Sequence, residues 1–152
     1  MSELVVEPLG ERAIRMERTF RASRERVFEA YVRPELVRRW LGTSRMDWHT
    51  CTIDARVGGG FRYLWTRGDF RMGIQGVFVV LEPPARIVHR ERFDGSDGET
   101  LVTTLFHDEG GLTRVETVLE YGSTEARDRV LATPMRDGIS EGYVLLDAVL
   151  AG

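Results

Sequence analysis

FRASRERVFEAYVRPELVRRWLG, residues 20–42, decides the fold, because it interrupts a strand pattern with two short helices hinged at a proline. Ser23 can cap a helix whose apolar residues Val27, Phe28, Ala30 and Tyr31 recur at helical spacing. Pro34 biases Arg33 toward extended backbone and opens a second helix at its first position. That second helix, PELVRRWL, puts Leu36, Val37, Trp40 and Leu41 on one side and Arg38 and Arg39 on the other, and Gly42 supplies a left-handed stop. A helix pair this early would suit a bundle, but a long run of strand patterns follows. The pair therefore reads as a bent cap, a gate over a pocket.

Before the cap, ERAIRMERTF (11–20) alternates, and Ile14, Met16 and Phe20 are expected inward on a first strand. After it, WHTCTIDARV, GFRYLWT, RMGIQGVFVVLE, ARIVHRERF, ETLVTTLFHD and LTRVETVLEY read as a meander of antiparallel strands. The turns between them are VGGG (57–60), TRGD (66–69), EPPA (82–85), DGSDG (94–98) and DEGG (108–111). Residues 124–150 read as helix with a break where Thr133 caps and Pro134 begins the main part. Its stripe of Met135, Ile139, Tyr143, Leu146 and Leu150 fits the hollow of a curved sheet.

At 152 residues the chain is expected to form one domain, 1–152, large enough to keep a core with a cavity beside it. No apolar run approaches the ~20 residues of a membrane span, and MSELVVEPLGERA is not a secretory signal. The expectation is a soluble cytoplasmic protein without membrane insertion. The lone Cys51, set among β-branched neighbours, reads as a small core residue. The net charge of −3 and scattered basic residues argue against nucleic acid, and because all 21 basic residues are arginine, lysine chemistry is excluded. A homodimer is left open.

Strand, two helices, meander, long C-terminal helix is the α+β helix-grip layout. FRASRERVFEAYVRPELVRRWLG, DARVGGGFRYLW, QGVFVVLEPPARIVHRERF and DGISEGYVLLDAVL also resemble the SRPBCC superfamily of START-like proteins, and within it the bacterial branch similar to the activator of the heat-shock-protein-90 ATPase. The resemblance covers almost the whole chain. It implies a curved antiparallel sheet gripping the last helix and an internal cavity for a hydrophobic small molecule. One departure is that the family commonly has Gly-Trp where this chain has Gly142 and Tyr143. Tyrosine keeps an aromatic wall and adds a hydroxyl.

Strand parity names the wall without the family. In ARIVHRERF, Arg86, Val88, Arg90 and Arg92 share one face, and three arginines belong in solvent, so His89, Glu91 and Phe93 point inward with Ile87. Phe61, Tyr63 and Trp65 share the face opposite Arg62; Thr117 lies on an inward face with Val115 and Leu119. With Trp40, Met135, Ile139 and Tyr143 these make an apolar enclosure with a few polar groups, the usual composition of a small-molecule site. Two readings stand side by side for the aromatic set, packed core or ligand wall. An inward glutamate needs a partner, so His89 and Glu91 either satisfy each other or an arginine, or they bind something.

Other chemistry is declined. His49 and Cys51 share a predicted strand face but make only two zinc ligands, so no metal is expected. VGGGFR leads into a strand and is a hairpin turn, and no GxSxG elbow exists among serines placed at caps, turns or a helix: Ser23, Ser44, Ser96, Ser123 and Ser140. No cofactor is implied. Three functions remain: a carrier or sensor of a lipid-like or polyketide-like hydrophobic molecule, a cofactor-free acid–base enzyme of the cyclase or dehydratase kind using His89 or Glu91, and a chaperone-ATPase regulator.

Overall fold

The computed structural model describes residues 3–42 and 45–152; Ser44, like Met1 and Ser2 of the amino-terminal stretch, lies outside the described residues. The cap forms as two helices, α1 (Arg24–Val32) and α2 (Pro34–Trp40), between β2 (Ala13–Phe20) and β3 (Asp47–Ile53). Ser23 Oγ accepts the Arg26 amide at the start of α1, a cap of the kind that contributes about 1 kcal/mol. Arg33 is extended at φ −98°, ψ 119°, and Gly42 has φ +101°, so the proline hinge and the glycine stop both act as their residue types require.

The meander follows as β4 (Gly60–Arg67), β5 (Phe70–Glu82), β6 (Arg86–Phe93), β7 (Thr100–Glu109) and β8 (Leu112–Glu120), and a short strand β1 (Val5–Leu9) precedes β2. Together they make one antiparallel sheet of eight strands among the described residues, in the order β1-β2-β8-β7-β6-β5-β4-β3. Because β2 and β3 lie toward opposite ends of that order, the α1–α2 pair must carry the chain from one end of the sheet to the other. Two helices end the chain, α3 (Thr124–Leu131) and α4 (Met135–Ala151), and α4 packs against α2 and α1. This is the α+β helix-grip architecture.

The core lies between α4, α1 and the β2–β8–β7 side of the sheet. Ile14, Phe20, Val27, Phe106, Val115 and Leu146 are almost wholly buried there, and the Phe28 and Phe106 rings stand 5.3 Å apart. Each such side chain contributes about 1.5–3 kcal/mol of transfer free energy. Arg18 shares the inward row of β2 and is also buried, with both amino groups donating to the Asp147 carboxylate of α4 at 2.8 and 2.5 Å. Its guanidinium sits 4.7 Å from the Phe20 ring centroid. A charge on an apolar row is thus held by bidentate pairing and an aromatic face.

Four expectations are corrected. The strand β1 was not anticipated: its side chains are mostly exposed, so it carries no in–out alternation. WHTCTIDARV ends as a strand at Ile53, because residues 54–59 wind into a turn in which Arg56 N donates to Asp54 O and Gly59 N to Arg56 O. Thr133 does not cap α4. Its hydroxyl donates back to Val130 O at 2.6 Å, and Pro134 itself occupies the cap position. His49 and Cys51 do not share a face, since a bulge between Trp48 and Thr50 leaves His49 exposed and Cys51 buried. Among the described residues no helix is long and apolar enough to cross a membrane.

Candidate functional site

The concave side of the sheet is not filled along its whole length. Between β4, β5 and β6 on one side and α2 and the first half of α4 on the other lies a cavity of about 440 Å³, within the range of small-molecule sites. Trp40, Phe61, Tyr63, Trp65, His89, Glu91, Phe93, Thr117, Met135, Ile139 and Tyr143 all border it. Phe93 differs from the others in being 45% exposed, so it stands at the rim rather than in the wall.

Each wall has a local cause. On β4 the alternation delivers Phe61, Tyr63 and Trp65 inward, with ring centroids 5.0 and 6.0 Å apart along the strand. Phe61 pairs with Gly76 of β5, where a Cβ would lie 2.3 Å from the Phe61 ring and 2.5 Å from Arg90 O. The missing side chain lets the Phe61 ring lie over the sheet, 5.1 Å from the His89 ring at 89°. On α2, Trp40 donates its indole N–H to Ala30 O at 2.8 Å, which fixes the angle between the cap helices. On α4, Gly142 admits the close approach of α2, because a Cβ there would lie 3.0 Å from Trp40 O.

Two polar groups interrupt the apolar lining. His89 Nε2 and Glu91 Oε1 are 2.7 Å apart, two residues along one face of β6, and each side chain is 18% exposed. The residues bond each other and also face the cavity. The second group is a hydroxyl cluster in which Tyr31 donates to Tyr143 at 3.3 Å, with Thr117 bonded to Tyr143 as well. Burial holds both tyrosines above the usual phenol range, so they are neutral donors and acceptors. Tyr143 thus puts its hydroxyl to use inside this cluster.

Tyr31 was not among the sequence-derived wall residues, nor were Met16, Met72, Ile74 and Phe78, which also border the space. Gly76, a glycine inside a strand, was the available signal for the β5 wall. The Trp65 indole N–H has no hydrogen-bond partner among the described residues, and a Cβ at Gly42 would lie 2.6 Å from it. No three His, Cys, Asp or Glu side chains among the described residues come together as a metal site.

The family model described as Activator of Hsp90 ATPase homolog 1-like protein matches residues 21–151. A crystal structure of a protein from Rhodobacter sphaeroides is 32% identical, with 98% of each chain covered and a TM-score of 0.93. A crystal structure from Mycobacterium smegmatis is 21% identical over 97% of each chain with a TM-score of 0.87. A solution structure from Arthrobacter aurescens is 22% identical over 97% of this chain and 91% of that one, with a TM-score of 0.85. These last two show the shared fold alone. No curated protein matches.

Proposed function

This chain belongs to the Activator of Hsp90 ATPase homolog 1-like family, and from that premise we propose that it binds a hydrophobic or aromatic small molecule in its internal cavity, as a carrier or sensor. The observation that supports this is the unfilled apolar space itself. A well-packed sheet-and-helix interior leaves few voids larger than a water molecule. Here about 440 Å³ lies among largely apolar side chains, aromatic, methionine and isoleucine among them, interrupted among the described residues by His89–Glu91, the Tyr31–Tyr143–Thr117 hydroxyls and Thr104. Such a space disfavours inorganic ions and sugars by desolvation and favours a largely apolar body that replaces water with dispersion contacts.

The test uses N-phenyl-1-naphthylamine, a neutral apolar dye. Its emission should rise on addition of the protein while tryptophan emission is quenched. Trp40→Ala and Trp65→Ala should each weaken binding by roughly tenfold, the loss expected when one aromatic wall contact is removed. Unchanged affinity in both variants would refute the assignment of the cavity as the binding site.

One observation favours a second reading. His89 and Glu91 form an acid–base pair at hydrogen-bond distance inside the cavity, the arrangement a cofactor-free cyclase or dehydratase needs for proton transfer. Under that reading His89→Gln and Glu91→Gln would each abolish turnover of a bound carbonyl compound without releasing it. Retained turnover in both would exclude it.

A further inference from the structure

Resting on the reading of the cavity as a small-molecule site, the charge distribution of its wall narrows the ligand class. The chain has 21 arginines, yet none borders the cavity. Apart from tyrosines, its titratable lining is one carboxylate, Glu91, and one imidazole, His89. Arg18, which lies against the Tyr143 ring, is already committed to Asp147 and to the faces of Phe20 and Tyr143.

Glu91 accepts from His89 through Oε1, and no hydrogen bond among the described residues reaches Oε2. Among the described residues Trp65 Nε1 is the one buried side-chain polar atom without a partner, so the unbonded Oε2 retains accessible surface. A neutral imidazole with its proton on Nε2 toward the carboxylate leaves Nδ1 as a second acceptor. The pair thus offers acceptors and asks for donors. Around it stand π faces and edges: Phe61 and Phe78 lie 5.1 and 6.5 Å from the His89 ring, and Tyr63 lies 5.0 Å from Phe61. A carboxylate beside aromatic rings in an apolar hollow is the chemistry that recognises an organic cation. The same negative charge helps keep Tyr63 and Tyr121 protonated, behind burial as the larger cause.

We propose that the cavity selects an amphiphile whose apolar, aromatic body carries a protonated amine, with the ammonium group seated against Glu91 and the body between Trp40, Trp65 and Met135. A carboxylate-bearing molecule of the same shape would meet the like charge of Glu91, with no arginine among the described residues that line the cavity. The hydroxyls of Tyr31 and Thr117 supply a second, neutral anchor at the other polar group.

The experiment compares three probes that share one ring and differ in one head group: 1-naphthylmethylamine, 1-naphthalenemethanol and 1-naphthoate, each displacing N-phenyl-1-naphthylamine at pH 7. The amine should bind about tenfold more tightly than the alcohol, the size of one charge-assisted hydrogen bond, and the carboxylate should bind most weakly. Glu91→Gln keeps the shape and should remove the amine's advantage while leaving the alcohol's affinity in place. A carboxylate that binds as tightly as the amine overturns the proposal, and so does an amine advantage that survives in Glu91→Gln. Should that variant fail to fold, the ranking of the three probes on the unsubstituted protein decides alone. If the dye and all three probes fail to bind, the binding reading of the cavity falls and this inference with it; dye binding with the wrong ranking sinks only the inference.

Discussion

The two halves of α4 meet the same curved sheet and do opposite things to it. The carboxy-terminal half presents Leu146, Val149 and Leu150, all buried, and fills the hollow in front of β2, β8 and β7. The amino-terminal half presents Met135, Gly138, Ile139 and Gly142 to the cavity. Both ends face aromatic side chains. Whether an aromatic row becomes core or wall is therefore decided by the helix opposite it: branched side chains consume the space, whereas Gly138 borders the cavity without a side chain and Gly142 lets α2 close in as a further wall. A cavity here is volume withheld by α4.

The largest effect expected from this comparison is a stability difference between the halves. Leu146→Ala removes a side chain with no exposure and should cost about 3 kcal/mol, read from chemical denaturation, because a new void opens in closed packing. Met135→Ala, beside a space that already exists, should cost under about 1 kcal/mol. Equal losses would mean that the two halves are packed alike and that the cavity is not a feature of the folded protein.

A smaller effect tests the sheet's side of the same space. Gly76→Ala places a methyl group 2.3 Å from the Phe61 ring and 2.5 Å from the Arg90 carbonyl, and a stiff ring and a paired strand backbone cannot both give way cheaply. The expected loss is about 2 kcal/mol, accompanied by weaker dye binding as the Phe61 ring is driven into the cavity. A neutral outcome in both measurements would show that the Phe61 wall is free to move, and that α4 alone shapes the space.

The comparison also explains what could be read from the sequence. Parity placed His89, Glu91 and the β4 aromatics inward because each strand has one arginine-bearing face, and the Ser23 cap and Pro34 hinge are local chemistry that needs no tertiary context. Parity says which way a side chain points, not how far away the next atom is. The cavity depended on Gly138, Gly142 and Gly76, and no periodic pattern gives weight to an absent side chain. Arg18 was legible as inward by position, but its Asp147 partner lies 129 residues away. The mostly exposed edge strand β1 has no alternation to find, and the bulge at Trp48/Thr50 shifts every side chain beyond it by one face. Tertiary pairing settled each of these.

The smallest effect concerns the four tyrosines, which sample both halves. Tyr31 and Tyr143 join where the cavity lining meets the packed core, Tyr63 stands in the cavity wall, and Tyr121 follows β8. Burial is the first cause in every case, raising Tyr121 to about 12 and holding the other three above their ordinary value as well. The folded protein thus keeps protons that an unfolded chain releases near pH 10. The stabilisation is fully present below that pH and declines as pH rises through it toward the folded values, so stability at pH 9.5 should be lower than at pH 8 by less than about 1 kcal/mol. Absorbance of tyrosinate at high pH should show no ionisation near pH 10 while the fold persists. A single tyrosine that does ionise there, and stops doing so in the presence of the dye, would identify Tyr63 in a water-filled cavity. That result would set Tyr63 apart from Tyr31 and Tyr143, whose hydroxyls bond each other and would remain silent until the protein unfolds.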